Sequence, residues 1–120
     1  MFIKIIHGFL YSLQGLHHAY QKDKSFRIET WSGLVFIVFG YLFWPLEKIE
    51  LLLLILSFTL ILMSELINTA FERALERLHP ERHELIGATK DIASAAVFIA
   101  ICFALVVAAA IALRYFNILQ

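Results

Sequence analysis

The sequence predicts an all-α membrane protein, with an N-terminal amphipathic surface helix followed by three transmembrane helices, and three observations carry that reading. Of its 120 residues 61% are hydrophobic and only 17% charged, and the mean hydropathy is +0.79, well above the level of soluble domains. Long apolar runs of about 20 residues match a hydrocarbon core roughly 30 Å thick. Ahead of them, apolar residues recur at helical steps beside a polar face. The whole chain, 1–120, reads as one domain.

In the segment 1–27, Ile3, Ile6, Phe9, Leu10, Leu13 and Leu16 recur every three or four residues, while Lys4, His7, Gln14 and His18 take the other face. That pattern predicts a helix lying at the bilayer interface, ending in a polar connector over 21–27. No small-residue cleavage site follows a compact apolar core, so this helix is expected to stay with the protein. A first span is predicted over 28–46, with Trp31, Tyr41 and Trp44 as an aromatic belt and Pro45 near its end. A second opens at Leu51 and continues without glycine or proline to Leu78, so its end projects from the bilayer. His79-Pro80 breaks it, and 79–91 reads as a polar cytoplasmic loop with Gly87 as its turn. A third span, 92–113, is uncharged and rich in alanine, which favours close helix packing.

Charge distribution sets the expected orientation. Lys4, Lys22, Lys24, Arg27, Arg73, Arg77, Arg82 and Lys90 fall on one side, against Lys48 and Arg114 on the other, which predicts a cytoplasmic N-terminus and loop and an external C-terminus. The net charge is zero and no long basic run exists, so there is no electrostatic footprint for nucleic acid. Cys102 is the only cysteine, which excludes an internal disulfide and cysteine-ligated zinc. The histidine spacing matches no strong metal motif.

The informative stretch is 64–91, where polar groups enter spanning sequence. Glu65, Asn68, Glu72 and Glu76 lie at offsets of three, four and four, which places them on one helical stripe. Ionisable residues inside a span point to function. With Asp23, Arg27, Lys90 and Asp91 on the same side of the membrane, oxygen ligands for a hard divalent cation meet basic groups for phosphate, the parts that phosphoryl transfer requires. Glu65 lies about 10 Å deeper than Glu72 along the helix, at the depth of a lipid hydroxyl. No GxxxxGK[ST] or GxGxxG loop is present, so a kinase here is of neither the Walker nor the protein-kinase type. The rival reading from another class is a small helical membrane assembly, or an ion carrier, in which the stripe lines a polar seam. No internal repeat of the spans favours a transporter.

The segments Glu65 to Glu72 and His83 to Asp91 carry E-[IL]-[LI]-N-[ST]-A-x-E and HEL-x-G-x-x-KD. In these the chain resembles the small prokaryotic diacylglycerol kinases, integral membrane lipid kinases. The resemblance implies a homotrimer of three-span subunits in the bacterial inner membrane, transferring the γ-phosphate of ATP, with Mg²⁺, to a lipid hydroxyl at the cytoplasmic leaflet. It further implies Glu65 as general base, Asp23 and Glu72 as metal carboxylates, and Lys90 and Asp91 as phosphate and nucleotide contacts. Lys4, Tyr11, Glu81, Arg82 and His83 match nucleotide-side positions; Tyr20, Phe26, Arg27, Glu29, Asn68 and Ser94 match the lipid side. Asp23 stands where glutamate is expected, and Lys4 and His17 where arginines are. The fold resembles undecaprenol kinases as well, but HELIGATKDIASAAV is more similar to the diacylglycerol branch, making diacylglycerol the expected acceptor.

Overall fold

The computed structural model describes residues 1–78 and 84–119, and among them the secondary structure is entirely helical. Five helices follow in order: α1 (Phe2–Lys22), α2 (Lys24–Trp31), α3 (Gly33–Leu42), α4 (Lys48–Leu78) and α5 (Glu84–Leu119). Two of them, α4 and α5 over Glu84–Asn117, are long and apolar enough to cross a membrane.

The helix α1 runs unbroken for 21 residues, and Ala19 is its one buried residue. Phe2, Ile3, Ile6, Phe9, Leu10 and Leu13 stay exposed in the single chain, an apolar surface that calls for cover the chain itself does not supply. The expected polar connector over 21–27 is corrected to a single residue, Asp23, in extended conformation at φ −116° and ψ 113°. The physical reason is capping. Asp23 Oδ1 accepts from the backbone N–H of Ser25 at 2.9 Å and of Phe26 at 3.3 Å, which starts α2 immediately. Arg27 Nη1 turns back to donate to the carbonyls of Tyr20 at 3.2 Å and Gln21 at 2.9 Å, satisfying the end of α1.

The first expected span, 28–46, is divided between α2 and α3. The break falls at Ser32, still close to helical at φ −62° and ψ −16°, with its Oγ donating to the Glu29 carbonyl at 2.5 Å. Such back-bonding competes with the helix ladder and bends it. A Cβ on Gly33 would lie 2.9 Å from Phe58 Cζ, so glycine is what lets α3 approach α4 this closely.

The helix α4 starts at Lys48, three positions before the expected Leu51, because Glu50 Oε1 accepts from the Glu47 N–H at 2.9 Å, half of a capping box. Its buried positions, Glu50, Leu54, Ser57, Ile61, Glu65, Asn68 and Thr69, form one stripe. The expected loop is corrected too: α5 begins at Glu84, and Gly87 to Asp91 are helical. One glycine costs about 1 kcal/mol in a helix interior, too little to stop a long helix packed along α4. Segment 79–83, with the His79-Pro80 break and the Glu81, Arg82 and His83 positions, lies outside the described residues.

Leu54, Val107 and Ile111 form the apolar core between α4 and α5, with Phe36 and Phe39 of α3, and Phe43 just after it, packed on it. Beside it Arg114 Nε donates to Glu50 Oε2 at 2.5 Å and Nη2 to the Pro45 carbonyl at 3.1 Å, joining the end of α5 to the start of α4.

Candidate functional site

The acidic stripe expected from the spacing divides by depth. Glu65 and Asn68 are buried at 6% and 8% exposure, Glu72 is half-buried and Glu76 exposed. The inward aim of the stripe therefore holds where the helix is covered and fades where α4 leaves its neighbours. The charges that bear on Glu65 are those of Asp23, Glu29 and Glu72. One turn on, Asn68 Nδ2 donates to Glu72 Oε1 at 3.4 Å. Asn68 Oδ1 is buried and without a hydrogen-bond partner among the described residues, an acceptor left open beside two carboxylates.

Asp23 reaches this stripe through a residue that the spacing argument passes over. Thr69, buried at 6% exposure, donates its hydroxyl to Asp23 Oδ2. The α1–α2 junction is thereby fastened to α4. Asp23, Glu72 and Glu76 then line one polar pocket of about 240 Å³ together with Lys22, Lys24 and Arg73. A second pocket of about 850 Å³ adjoins it between α1 and α4, with Tyr11, Gln14, His18 and Leu66 in its wall and Thr69 and Arg73 common to both. Thr69 was detectable as the hydroxyl position of the motif from Glu65 to Glu72; Arg73, Lys22 and Lys24 carried no signal beyond their charge.

Lys90 Nζ lies 3.5 Å from Glu76 Oε1 and so reaches the acidic stripe from α5. Tyr20 is tied to the end of α2, its hydroxyl accepting from Trp31 Nε1 at 3.0 Å. Phe26 is buried at 4% exposure, Glu29 is half-buried, and Asp91 and Ser94 are exposed on α5. Lys4, at the opposite end of α1, is about 28 Å from Asp23 by the helix rise, so the single chain does not bring it to the carboxylate pocket.

The donor set suits a magnesium ion shared with phosphates. Among the described residues no three Asp, Glu, His or Cys side chains converge as a metal cage. Asp23 and Glu72 on one polar pocket supply one or two hard carboxylates, the number magnesium takes when waters and substrate phosphates complete its shell. Asp23 retains capacity for this, since a carboxylate has about four acceptor sites and three are engaged by Ser25, Phe26 and Thr69.

A family model described as prokaryotic diacylglycerol kinase matches residues 10–112. The diacylglycerol kinase of Haemophilus influenzae is 42% identical over 98 residues, covering 82% of each chain. That of Escherichia coli K12 is 38% identical over 106 residues, 88% of this chain and 85% of its own. That of Pseudomonas aeruginosa is 34% identical over 98 residues, 82% of this chain and 79% of its own. With the motifs, the carboxylate pocket and matches over most of its length, this chain belongs to the prokaryotic diacylglycerol kinase family.

Proposed function

We propose that the protein phosphorylates diacylglycerol to phosphatidic acid with ATP at the cytoplasmic face of the bacterial inner membrane, working as a homotrimer. In this reading α2 and α3 together make the first of three spans, α1 lies on the interface with its apolar residues toward lipid, and the C-terminus is outside. The observation that carries the reading is the Asp23–Thr69 hydrogen bond. It draws a carboxylate from the α1–α2 junction onto α4 beside Glu72, one to two turns above the buried Glu65.

The roles follow from depth and chemistry. Glu65 accepts the proton of the lipid hydroxyl as its oxygen attacks the γ-phosphorus and ADP departs. Burial suits that task, because water is kept from competing as the acceptor. Asn68 holds the hydroxyl through its open Oδ1, while its Nδ2 steadies Glu72. Asp23 and Glu72 hold Mg²⁺, which when bound neutralises charge on the phosphates. Lys90 and Asp91 at the head of α5, the 81–83 segment, Tyr11 and Lys4 serve the nucleotide; Tyr20, Phe26, Arg27, Glu29 and Ser94 border the lipid.

The test is phosphate transfer from radiolabelled ATP with Mg²⁺ in mixed micelles, diacylglycerol and undecaprenol offered separately. Diacylglycerol should be labelled, and folded Glu65→Gln should lose most of the rate, by about 10²- to 10⁴-fold. Labelling mainly of undecaprenol would reverse the acceptor, and a near-normal rate in Glu65→Gln would remove the base. No labelling of either lipid would return the stripe to a purely structural seam.

A further inference from the structure

We propose that Arg73 is a further substrate-binding residue of this site, a guanidinium that grips the phosphates of the nucleotide from the same chain that supplies Glu72 and Asp23. The proposal rests on the phosphoryl-transfer reading above.

Position is the first observation. Arg73 and Thr69 are the two residues shared by the charged pocket of about 240 Å³ and the larger one of about 850 Å³. The charged compartment contains carboxylates and cations; the larger one has a mostly apolar wall with Tyr11, Gln14 and His18. A nucleoside triphosphate has the same division, a planar ring system joined to a polyanionic tail. A cation at the junction meets the tail where it enters the carboxylate pocket. Arg73 follows Thr69 by four positions, so it lies one turn outward on the face that Thr69 turns to Asp23.

Pairing is the second observation. Lys90 is engaged with Glu76 at 3.5 Å, whereas Arg73 makes no hydrogen bond or ion pair among the described residues, although Asp23, Glu72 and Glu76 share its pocket. A free guanidinium among carboxylates is matched by a ligand whose oxygens outnumber theirs. Its planar fork binds phosphate through two parallel N–H donors, which a lysine cannot reproduce. In the transfer step Arg73 offsets negative charge that builds on the phosphoryl oxygens as the bond to ADP breaks.

The experiment compares wild type, Arg73→Ala, Arg73→Lys and Arg73→Gln, each checked for wild-type thermal unfolding in detergent. We expect Arg73→Ala and Arg73→Gln to lower kcat/KM for MgATP by about 10- to 100-fold, less than a fully desolvated arginine finger gives, with Arg73→Lys intermediate. Equilibrium binding of a non-hydrolysable ATP analogue should weaken in the same order. Binding of Mn²⁺ alone should be unchanged or tighter, since a positive charge beside the carboxylates is gone, and the KM for diacylglycerol should not move. A folded Arg73→Ala or Arg73→Gln protein with wild-type kcat/KM for MgATP overturns the proposal, as does a defect confined to the lipid KM. Absence of phosphoryl transfer in wild type overturns instead the kinase reading on which it depends.

Discussion

Thr69→Val is the substitution that most directly probes how the site is assembled. Valine keeps the shape of threonine and removes the hydroxyl that donates to Asp23 Oδ2. A hydrogen bond to a charged acceptor contributes about 1.5–3 kcal/mol. At 1.36 kcal/mol per factor of ten, complete loss of that orientation would raise the Mg²⁺ requirement by about 10- to 150-fold. Asp23 Oδ1 keeps its two bonds to the amides of Ser25 and Phe26, so the carboxylate is loosened rather than released. The lower end, about tenfold, is therefore expected. The assay is the initial rate against free Mg²⁺ at saturating ATP and diacylglycerol, with Thr69→Ser as the variant that restores the hydroxyl. A Mg²⁺ dependence in Thr69→Val equal to or tighter than wild type would refute the claim that this bond positions a metal carboxylate.

Asp23 can be separated into its two roles. Asp23→Asn keeps an N-cap for α2 and should fold normally with a raised Mg²⁺ requirement, while Asp23→Ala should add a loss of about 1 kcal/mol in stability, read by thermal unfolding in detergent. Gly33→Ala sets a Cβ 2.9 Å from Phe58 Cζ; overpacking of about 1–3 kcal/mol exceeds the helix gain of about 1 kcal/mol, and Phe58→Leu in the same chain should recover most of the loss. Arg114→Met leaves Glu50, at 7% exposure, without its partner and should lower the thermal midpoint; adding Glu50→Gln should return part of it, the coupling that a double-mutant cycle reads.

The long helices and the acidic stripe were legible because both depend on periodicity, which sequence displays directly. Glu65 and Asn68 share one face, here a buried one, as their offsets predicted, since α4 carries no residue able to interrupt the phase from Lys48 to Leu78. What spacing did not reveal depends on tertiary partners. The charges from Lys22 to Arg27 resemble a solvated connector, yet Asp23 and Arg27 are used to cap two abutting helices. Gly87 resembles a turn, but α5 extends through it. The meeting of Asp23 with Thr69 joins residues 46 positions apart, and Arg73 lies one turn along α4 in the pocket that this junction lines.

The Glu50–Arg114 pair has a consequence beyond local stability. The helix α4 is one rod of 31 residues, and Glu50 and Glu65, 15 positions apart by their numbers, are separated by about 22 Å along it. The pair at 2.5 Å fixes the azimuth of the rod at one end, and a stiff helix transmits that azimuth to the other. A roll of about 20° would swing a side-chain tip some 6 Å from the axis by about 2 Å. Misplacement of 1 Å can cost about 10²-fold in rate. On the proposed reading Arg114→Met should therefore lower kcat and, because Glu72 and Arg73 ride on the same rod, raise the KM for MgATP with it: an ion pair remote from the chemistry would serve as the rotational stop of α4.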